Sequence, residues 1–318
     1  MTDGRLDEEG EAYQAAVVGA GLMGIGIAVV MAMAAIPCAI FDPVESVRDT
    51  VRARLATIAG QLDLDADVFQ PFVSVHHDLK AAVSDATIII EAGPENIAMK
   101  RSIFAELDGV APPSAILASN TSAIPISVLA EGVARPAHVV GTHFWNPPYL
   151  VPLVEVVQGP STLDAVVTAT MELLTAAGLK PVHVQTDVPG FVGNRMQHAL
   201  KREAIALVAR GVCSAETVDL VVRYGFGRRL ALVGPLEQAD LGGTDLTLAI
   251  HEVLMPDLDV TPVPHPYLVA MVQRGDLGAK TGRGFFQWTS GEAERRRAEI
   301  ARGLRDQATP SAREVADD

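Results

Sequence analysis

The chain has 318 residues, 25 basic and 39 acidic, for a formal charge of −14. That balance argues against a surface built for nucleic acid or an anionic membrane. Hydrophobic residues make up 49%, and the two cysteines, Cys38 and Cys213, stand far apart in no ligand pattern. This suits two ordinary domains with large cores, and neither a disulfide framework nor a metal site.

The opening MTDGRLDEEGEAY lacks the basic start and apolar core of a secretory signal, so a cytoplasmic location is expected. Residues Ala15 to Phe41 carry no charge and are long enough to cross a bilayer. Gly19, Gly21, Gly24, Gly26 and Pro37 break the stretch, and no basic cluster flanks it. A buried strand–turn–helix–strand is the expectation instead: strand Ala15–Val18, turn Gly19–Gly24, helix Ile25–Ala35, strand Cys38–Phe41. Asp42-Pro43 then opens a charged helix over Val44–Leu62. Apolar bursts at Ala86–Ile90, Ala115–Ala118 and Val139–Val140 continue the alternation that marks a parallel α/β sheet.

Ser161-Thr-Leu-Asp164 resembles a capping box with Asp in place of Glu, starting a helix to about Ala177. Pro181–Gln185 reads as a last strand. Beyond residue 190 the apolar-periodic segments are helical: Asn194–Arg210, Ser214–Tyr224 and Leu236–Leu254. The expected division is a Rossmann-type, mostly parallel sheet domain over 1–188, an all-α domain over 189–290, and a polar tail over 291–318. The tail reads as a solvated helix with a frayed end.

The glycines of "GAGLMG" fit G-x-G-x-x-G between a strand and a helix. Gly19 supplies the tight turn, Gly21 lets a pyrophosphate approach the backbone, and Gly24 lets helix and strand pack closely, with Leu22 and Met23 between them. Asp42 ends the second strand eighteen residues after Gly24. An acid there accepts both ribose hydroxyls and repels a 2′-phosphate, which favours NAD over NADP.

"GTHFWNPPYLVPLVEVV", residues 141–157, poses a problem. Glu155 lies in an apolar run that wants to be a core strand, and a buried carboxylate is costly unless paired. His143, twelve positions earlier, is the candidate partner, with Asn146-Pro147-Pro148 turning the chain back. Taken alone, His143 is also what a satisfied core histidine looks like. Together the two suit a base poised near neutral pH and a carboxylate that fixes its tautomer.

Here the chain resembles the L-3-hydroxyacyl-CoA dehydrogenase family, including its lambda-crystallin-like gulonate and carnitine dehydrogenases. The resemblance covers residues 14–288, carried by "VVGAGLMG", "EAGPENIAMK", "ASNTSAIPI", "THFWNPPYLVPLVEVV", "DVPGFVGNRMQHAL", "GPLEQADLGGTD" and "GAKTGRGFF". It implies that His143 is the catalytic histidine and Glu155 its acid. It implies that Ser122 and Asn194 hold the substrate's oxygen atoms, and that Glu95 and Lys100 belong to the cofactor site. The serine motif is also a good turn sequence, and Asn194 could simply cap its helix. The implied reaction is NAD-dependent oxidation of a 3-hydroxyl to the 3-keto product. The helical domain is expected to bind substrate and form a homodimer.

Two substrates remain open: a 3-hydroxyacyl-CoA thioester and a short free 3-hydroxy acid. Members that use coenzyme A carry lysines after the second strand, whereas residues 55–79 here hold no Lys or Arg, but Asp63, Asp65, Asp67 and Asp78. Arg229, in "GFGRRLALVGPLE", matches an arginine of the free-acid branch and could clamp a carboxylate. A surface salt bridge accounts for it equally well. Trp145 is expected to shape one wall of the substrate pocket. A non-catalytic, crystallin-like NAD-binding protein is one alternative, against which the intact His143–Glu155 pair argues. A 3-hydroxyisobutyrate-type dehydrogenase is another, but it needs a lysine in a Gly-rich helix, and Lys201 is not in one.

Overall fold

The computed structural model describes residues 12–308. The polar N-terminus and the frayed end expected of the tail lie outside these residues. Two compact units form, one of residues up to Asn194 together with those from Ala301, the other Arg195–Ile300.

The first unit begins β1 (Ala15–Val18), α1 (Leu22–Met33), β2 (Cys38–Phe41), α2 (Glu45–Arg48), α3 (Val51–Gln61), β3 (Val73–His76) and α4 (Leu79–Val83). It continues with β4 (Ile88–Glu91), α5 (Ile97–Val110), β5 (Ile116–Ser119), α6 (Ile126–Leu129), β6 (Val139–Phe144), β7 (Leu153–Val157), α7 (Asp164–Ala176) and β8 (Lys180–Val184). The eight strands form one sheet in the order β3-β2-β1-β4-β5-β6-β7-β8. All neighbours are parallel except β6 and β7, which run antiparallel.

Strand residues alternate between two cores, as the period of two requires. Val17, Ile40, Ile90 and Val154 point to one face, against Ile25 and Val29 of α1 and Leu173 of α7. Ala16, Val18, Ile89 and Leu117 point to the other, against Phe104 and Leu107 of α5 and Leu129 of α6. Phe104, Leu107 and Leu129 are fully buried, each worth about 1.5–3 kcal/mol of transfer free energy. Coverage on both faces explains why the strands read as apolar runs.

Three expectations are corrected. The segment 73–76 forms β3, which the apolar pattern had not suggested. It is a four-residue edge strand beside β2, with Ser74 and Val75 exposed, and so lacks the buried signature. The helix expected over Val44–Leu62 breaks into α2 and α3, where the Thr50 hydroxyl donates to the Val47 carbonyl and Arg48 reaches back to the Asp42 carbonyl. The helix expected over Leu236–Leu254 breaks at Gly243, whose φ of +94° no helix accommodates.

The second unit is helical: most of α8 (Gly193–Ala209), then α9 (Ala215–Tyr224), α10 (Gly227–Leu230), α11 (Pro235–Gly242), α12 (Thr244–Leu254), α13 (Pro266–Gln273) and the start of α14 (Glu292–Ala308). Among the described residues no helix is long and apolar enough to cross a membrane.

Candidate active site

The turn after β1 is built as the spacing demands. Gly19 has φ +107°, and a β-carbon there would lie 2.8 Å from the Ala92 carbonyl group. On Gly24 it would lie 1.8 Å from the Gly19 oxygen, so helix and turn touch only because both residues lack side chains. Gly21 is different: nothing lies within 4 Å of the position a β-carbon would take. It caps α1 without a side-chain hydrogen bond, and no acid stands in the first turn. The turn is therefore an open cradle at the positive end of a twelve-residue helix, which fits a pyrophosphate. Leu22, 63% exposed, and half-buried Met23 form the first turn of that helix.

Asp42, just past β2, ties this corner together. Its Oδ2 accepts from the Ala20 N–H at 2.8 Å and its Oδ1 from the Val44 N–H at 2.9 Å. The carboxylate is half-buried beside the glycine turn, where an adenosine ribose on that cradle would present its hydroxyls. The residues present thus fit a dinucleotide.

His143 and Glu155 face one another across the antiparallel β6–β7 pair, in direct register. His143 Nδ1 and Glu155 Oε2 are 2.7 Å apart, and both side chains are buried. The other carboxylate oxygen, Oε1, accepts from the N–H groups of Val192 and Gly193 at 2.8 and 2.9 Å. Burial pushes the Glu155 carboxyl up. The bonds from His143, Gly193 and Val192 and the histidine's charge outweigh burial, and the group is held below its ordinary value.

Glu155 also places α8, because the N–H of its first residue, Gly193, is one of the donors. Asn194 follows, and its Nδ2 donates to the Ser122 carbonyl at 2.9 Å. Asn194 lies inside the first turn of α8, so it does not act as the helix's N-cap. Ser122 is exposed, and its N–H donates to Glu95 Oε1 at 3.0 Å. Glu95 in turn stands 3.7 Å from Lys100, which is fully buried. His143–Glu155 and Asn194–Ser122–Glu95–Lys100 are therefore two strings of polar contacts, drawn from sequence blocks far apart and joined through the backbone of Gly193 and Asn194.

The Trp145 ring lies 5.5 Å from that of His143, tilted by 54°. Arg229 belongs to the second unit, on the short helix α10, exposed and without an ion pair among the described residues.

Sequence reasoning passed over Glu91 and Asn120. Glu91 is fully buried at the end of β4 and pairs with Lys100 at 2.8 Å. Its signal was present in "ATIIIE", an apolar strand ending in an acid, but the strand had been expected to stop at Ile90. Asn120 accepts from the Phe144 N–H at 2.9 Å, pinning β6 immediately after His143. It sits inside a motif quoted for its serine.

Comparison with known proteins agrees with this architecture. Residues 14–188 match the profile of the 3-hydroxyacyl-CoA dehydrogenase NAD binding domain, and residues 190–288 that of the 3-hydroxyacyl-CoA dehydrogenase C-terminal domain. The chain is 34% identical to 5-formyl-3-hydroxy-2-methylpyridine 4-carboxylate 5-dehydrogenase of Mesorhizobium japonicum, over 91% of this chain and 95% of the relative. It is 38% identical to the probable 3-hydroxybutyryl-CoA dehydrogenase of Bacillus subtilis, over 87% of this chain and 98% of the relative. A crystal structure of a 5-formyl-3-hydroxy-2-methylpyridine 4-carboxylic acid 5-dehydrogenase, an NAD+-dependent dismutase, superposes with a TM-score of 0.86 at 34% identity, covering 92% of this chain and 96% of that one. With both family domains matched along nearly its whole length, this chain belongs to the 3-hydroxyacyl-CoA dehydrogenase family and is an NAD-dependent oxidoreductase.

Proposed function

We propose that the protein oxidises the 3-hydroxyl of a short free 3-hydroxy acid to the 3-keto product, with His143 as base and Glu155 as its partner. One observation carries the catalytic part. Glu155 engages the Nδ1 of His143, while its own second oxygen is fixed by two backbone N–H groups. That leaves Nε2 as the atom that takes the hydroxyl proton, and the ionised carboxylate stabilises the imidazolium that results. The Gly19–Gly24 turn and Asp42 would hold NAD, which when bound would supply the hydride acceptor. The Ser122 hydroxyl and the Asn194 amide hold the substrate oxygen while its carbon becomes trigonal. Replacing His143 by Gln tests this assignment: turnover should fall about 10²- to 10⁴-fold with NADH affinity unchanged, and undiminished turnover would dismiss His143 as the base.

The preference for a free acid rests on charge. Between residues 55 and 79 the chain presents exposed Asp63, Asp65, Asp67 and Asp78 and no Lys or Arg. The segment itself offers no Lys or Arg to a coenzyme A phosphate, and Arg305, which reaches it from α14, is engaged by Asp63 and the Gln61 carbonyl. A relative named for a pyridine carboxylate supports the same choice. Arg229, exposed and unpaired among the described residues, is the proposed carboxylate clamp. The thioester is the second reading, favoured by the 38% identity to a probable 3-hydroxybutyryl-CoA dehydrogenase. Following NADH from L-3-hydroxybutyryl-CoA beside free 3-hydroxybutyrate, carnitine and gulonate separates them. Turnover of the thioester alone ends the free-acid proposal.

The same proposal includes a homodimer formed through the second unit. Leu232, Leu236, Leu241 and Val253 are 78–88% exposed there, far more apolar surface than a helical unit leaves to water. A monomer mass by light scattering at micromolar concentration would refute it.

A further inference from the structure

The turn that carries Ser122 is held at both ends by carboxylates. At its start, Ser119 Oγ donates to Glu91 Oε2 at 2.8 Å. Further along, Thr121 Oγ1 and the N–H groups of Ser122 and Ala123 all donate to one oxygen, Glu95 Oε1, at 2.7, 3.0 and 3.1 Å. Two carboxylates four residues apart on one short loop repel each other. Lys100 stands between them. Its ammonium donates to both oxygens of Glu91, at 2.9 and 2.8 Å, and to the Gly93 carbonyl at 3.3 Å, with Glu95 Oε2 3.7 Å away.

Lys100 and Glu91 are both 0% exposed. A fully buried ion pair is a poor way to gain stability, since desolvation offsets much of the attraction. The geometry suggests a different use. Glu91 Oε1 also accepts from the Gly93 N–H at 2.6 Å, so the pair fixes the path from β4 into α5. That path decides where Glu95 emerges, and Glu95 decides where Ser122 stands.

We propose that Glu91 and Lys100 are positioning residues for the oxidation: with Glu95 they clamp the 119–123 turn and hold the Ser122 hydroxyl where the substrate oxygen needs it. The proposal rests on the assignment of Ser122 to the substrate oxygen. Neither Glu91 nor Lys100 need touch substrate. The clamp is rigid because its central bonds are sealed from water, where hydrogen bonds and charge attraction are stronger.

The test is a double-mutant cycle on kcat. Single variants of the pair leave a buried charge unpaired and can fail to fold, so Glu91→Gln and Lys100→Met are combined, which leaves no buried charge. The expected result is a well-folded protein whose Tm stays near that of the parent while kcat drops about 10- to 100-fold. Ser122→Ala alone is expected to lower kcat by a similar factor. In the triple variant the losses should fall well short of multiplying, because the clamp acts chiefly through the hydroxyl already removed and otherwise only through the Ser122 carbonyl that receives Asn194. Fully multiplied losses would overturn the clamp while leaving Ser122 its role. A combined Glu91→Gln/Lys100→Met variant with parental kcat would reduce the pair to a structural one. Full activity of Ser122→Ala would remove the Ser122 assignment itself, and the clamp with it.

Discussion

A β-carbon placed on Gly193 would lie 2.3 Å from Cζ2 of Trp145, with two further indole atoms at 3.2 and 3.3 Å. The backbone N–H of that glycine is meanwhile bonded to Glu155, and the Trp145 ring rests against His143. Gly193 is thus the one place where the helix start, the dyad and the pocket wall meet without room for a methyl group. Gly193→Ala should cost about 1–3 kcal/mol in stability by chemical denaturation, because an indole cannot give way as a flexible chain end would. Activity should fall further than stability, since the ring and the N–H move together. Adding Trp145→Ala should restore most of the stability. Failure of that second substitution to relieve the first would show that the crowding lies elsewhere.

Glu155→Gln keeps the shape of the side chain and removes its charge. The amide oxygen can still accept from both backbone N–H groups, but the amide nitrogen then faces Nδ1 and cannot stabilise an imidazolium on His143. Turnover is expected to fall about 10²-fold or more while the affinity for NADH, measured by fluorescence titration, stays unchanged. A parallel fall in NADH affinity would place Glu155 in cofactor binding instead.

The same carboxyl predicts how stability depends on acid. Glu155 is held below its ordinary value by the bonds from His143, Gly193 and Val192 and by the histidine's charge, which together outweigh burial. A depressed folded value means that the unfolded chain takes up the proton first as pH falls. The stabilisation is therefore complete above the unfolded value, about pH 4.3, and is lost as pH drops through the lower folded value. Unfolding free energies of the parent and Glu155→Gln should differ by a constant amount from neutrality down to about pH 5 and converge below it. A difference that shrinks on the alkaline side would contradict the assignment.

Asp42 joins the glycine turn to the start of the next loop through Ala20 and Val44. Asp42→Ser should weaken NAD binding about tenfold by removing the acceptor for the ribose hydroxyls. It should also narrow the preference over NADP, because the charge that repels a 2′-phosphate is gone. Kinetics with both cofactors would reveal an unchanged ratio if Asp42 plays no part in that choice.

The two cysteines should behave differently. Cys38 is buried at the start of β2, and burial pushes its thiol up to about 12. It should therefore remain a thiol at pH 8 and resist alkylation in the folded protein. Cys213, partly exposed, should react. Mass spectrometry after brief iodoacetamide treatment distinguishes one adduct from two.

What could be read from the chain, and what could not, follows from which signals are local. The glycine turn and Asp42 lie within a single βαβ unit, and their spacing alone implied their geometry. His143 and Glu155 were legible because an acid in an apolar strand demands a partner. Ser122 and Asn194 needed the family resemblance, for their contact spans 72 positions and neither residue is unusual where it stands. Glu91 stayed hidden because its charge is cancelled by Lys100, on the helix that follows, and a strand-ending acid looks like a solvated turn. The edge strand β3 was lost for a related reason: exposed on its outer side, it carries no apolar run.

The antiparallel pairing of β6 and β7, the one reversal in an otherwise parallel sheet, separates chemistry from recognition. Because His143 lies directly opposite Glu155, the dyad is fixed by ladder register, and a slip of one residue would turn Glu155 to the other face. The stretch between the strands carries no ladder register, but its ends are fixed: Trp145 packs on His143 and Gly193, and the Pro152 carbonyl accepts from the Lys180 N–H. Side chains there can change without altering the strand register, provided Trp145 and the contact of Pro148 with Gly26 are kept. A designer seeking a new substrate for this scaffold should vary that loop between its ends, keep Trp145, and leave the two strands untouched.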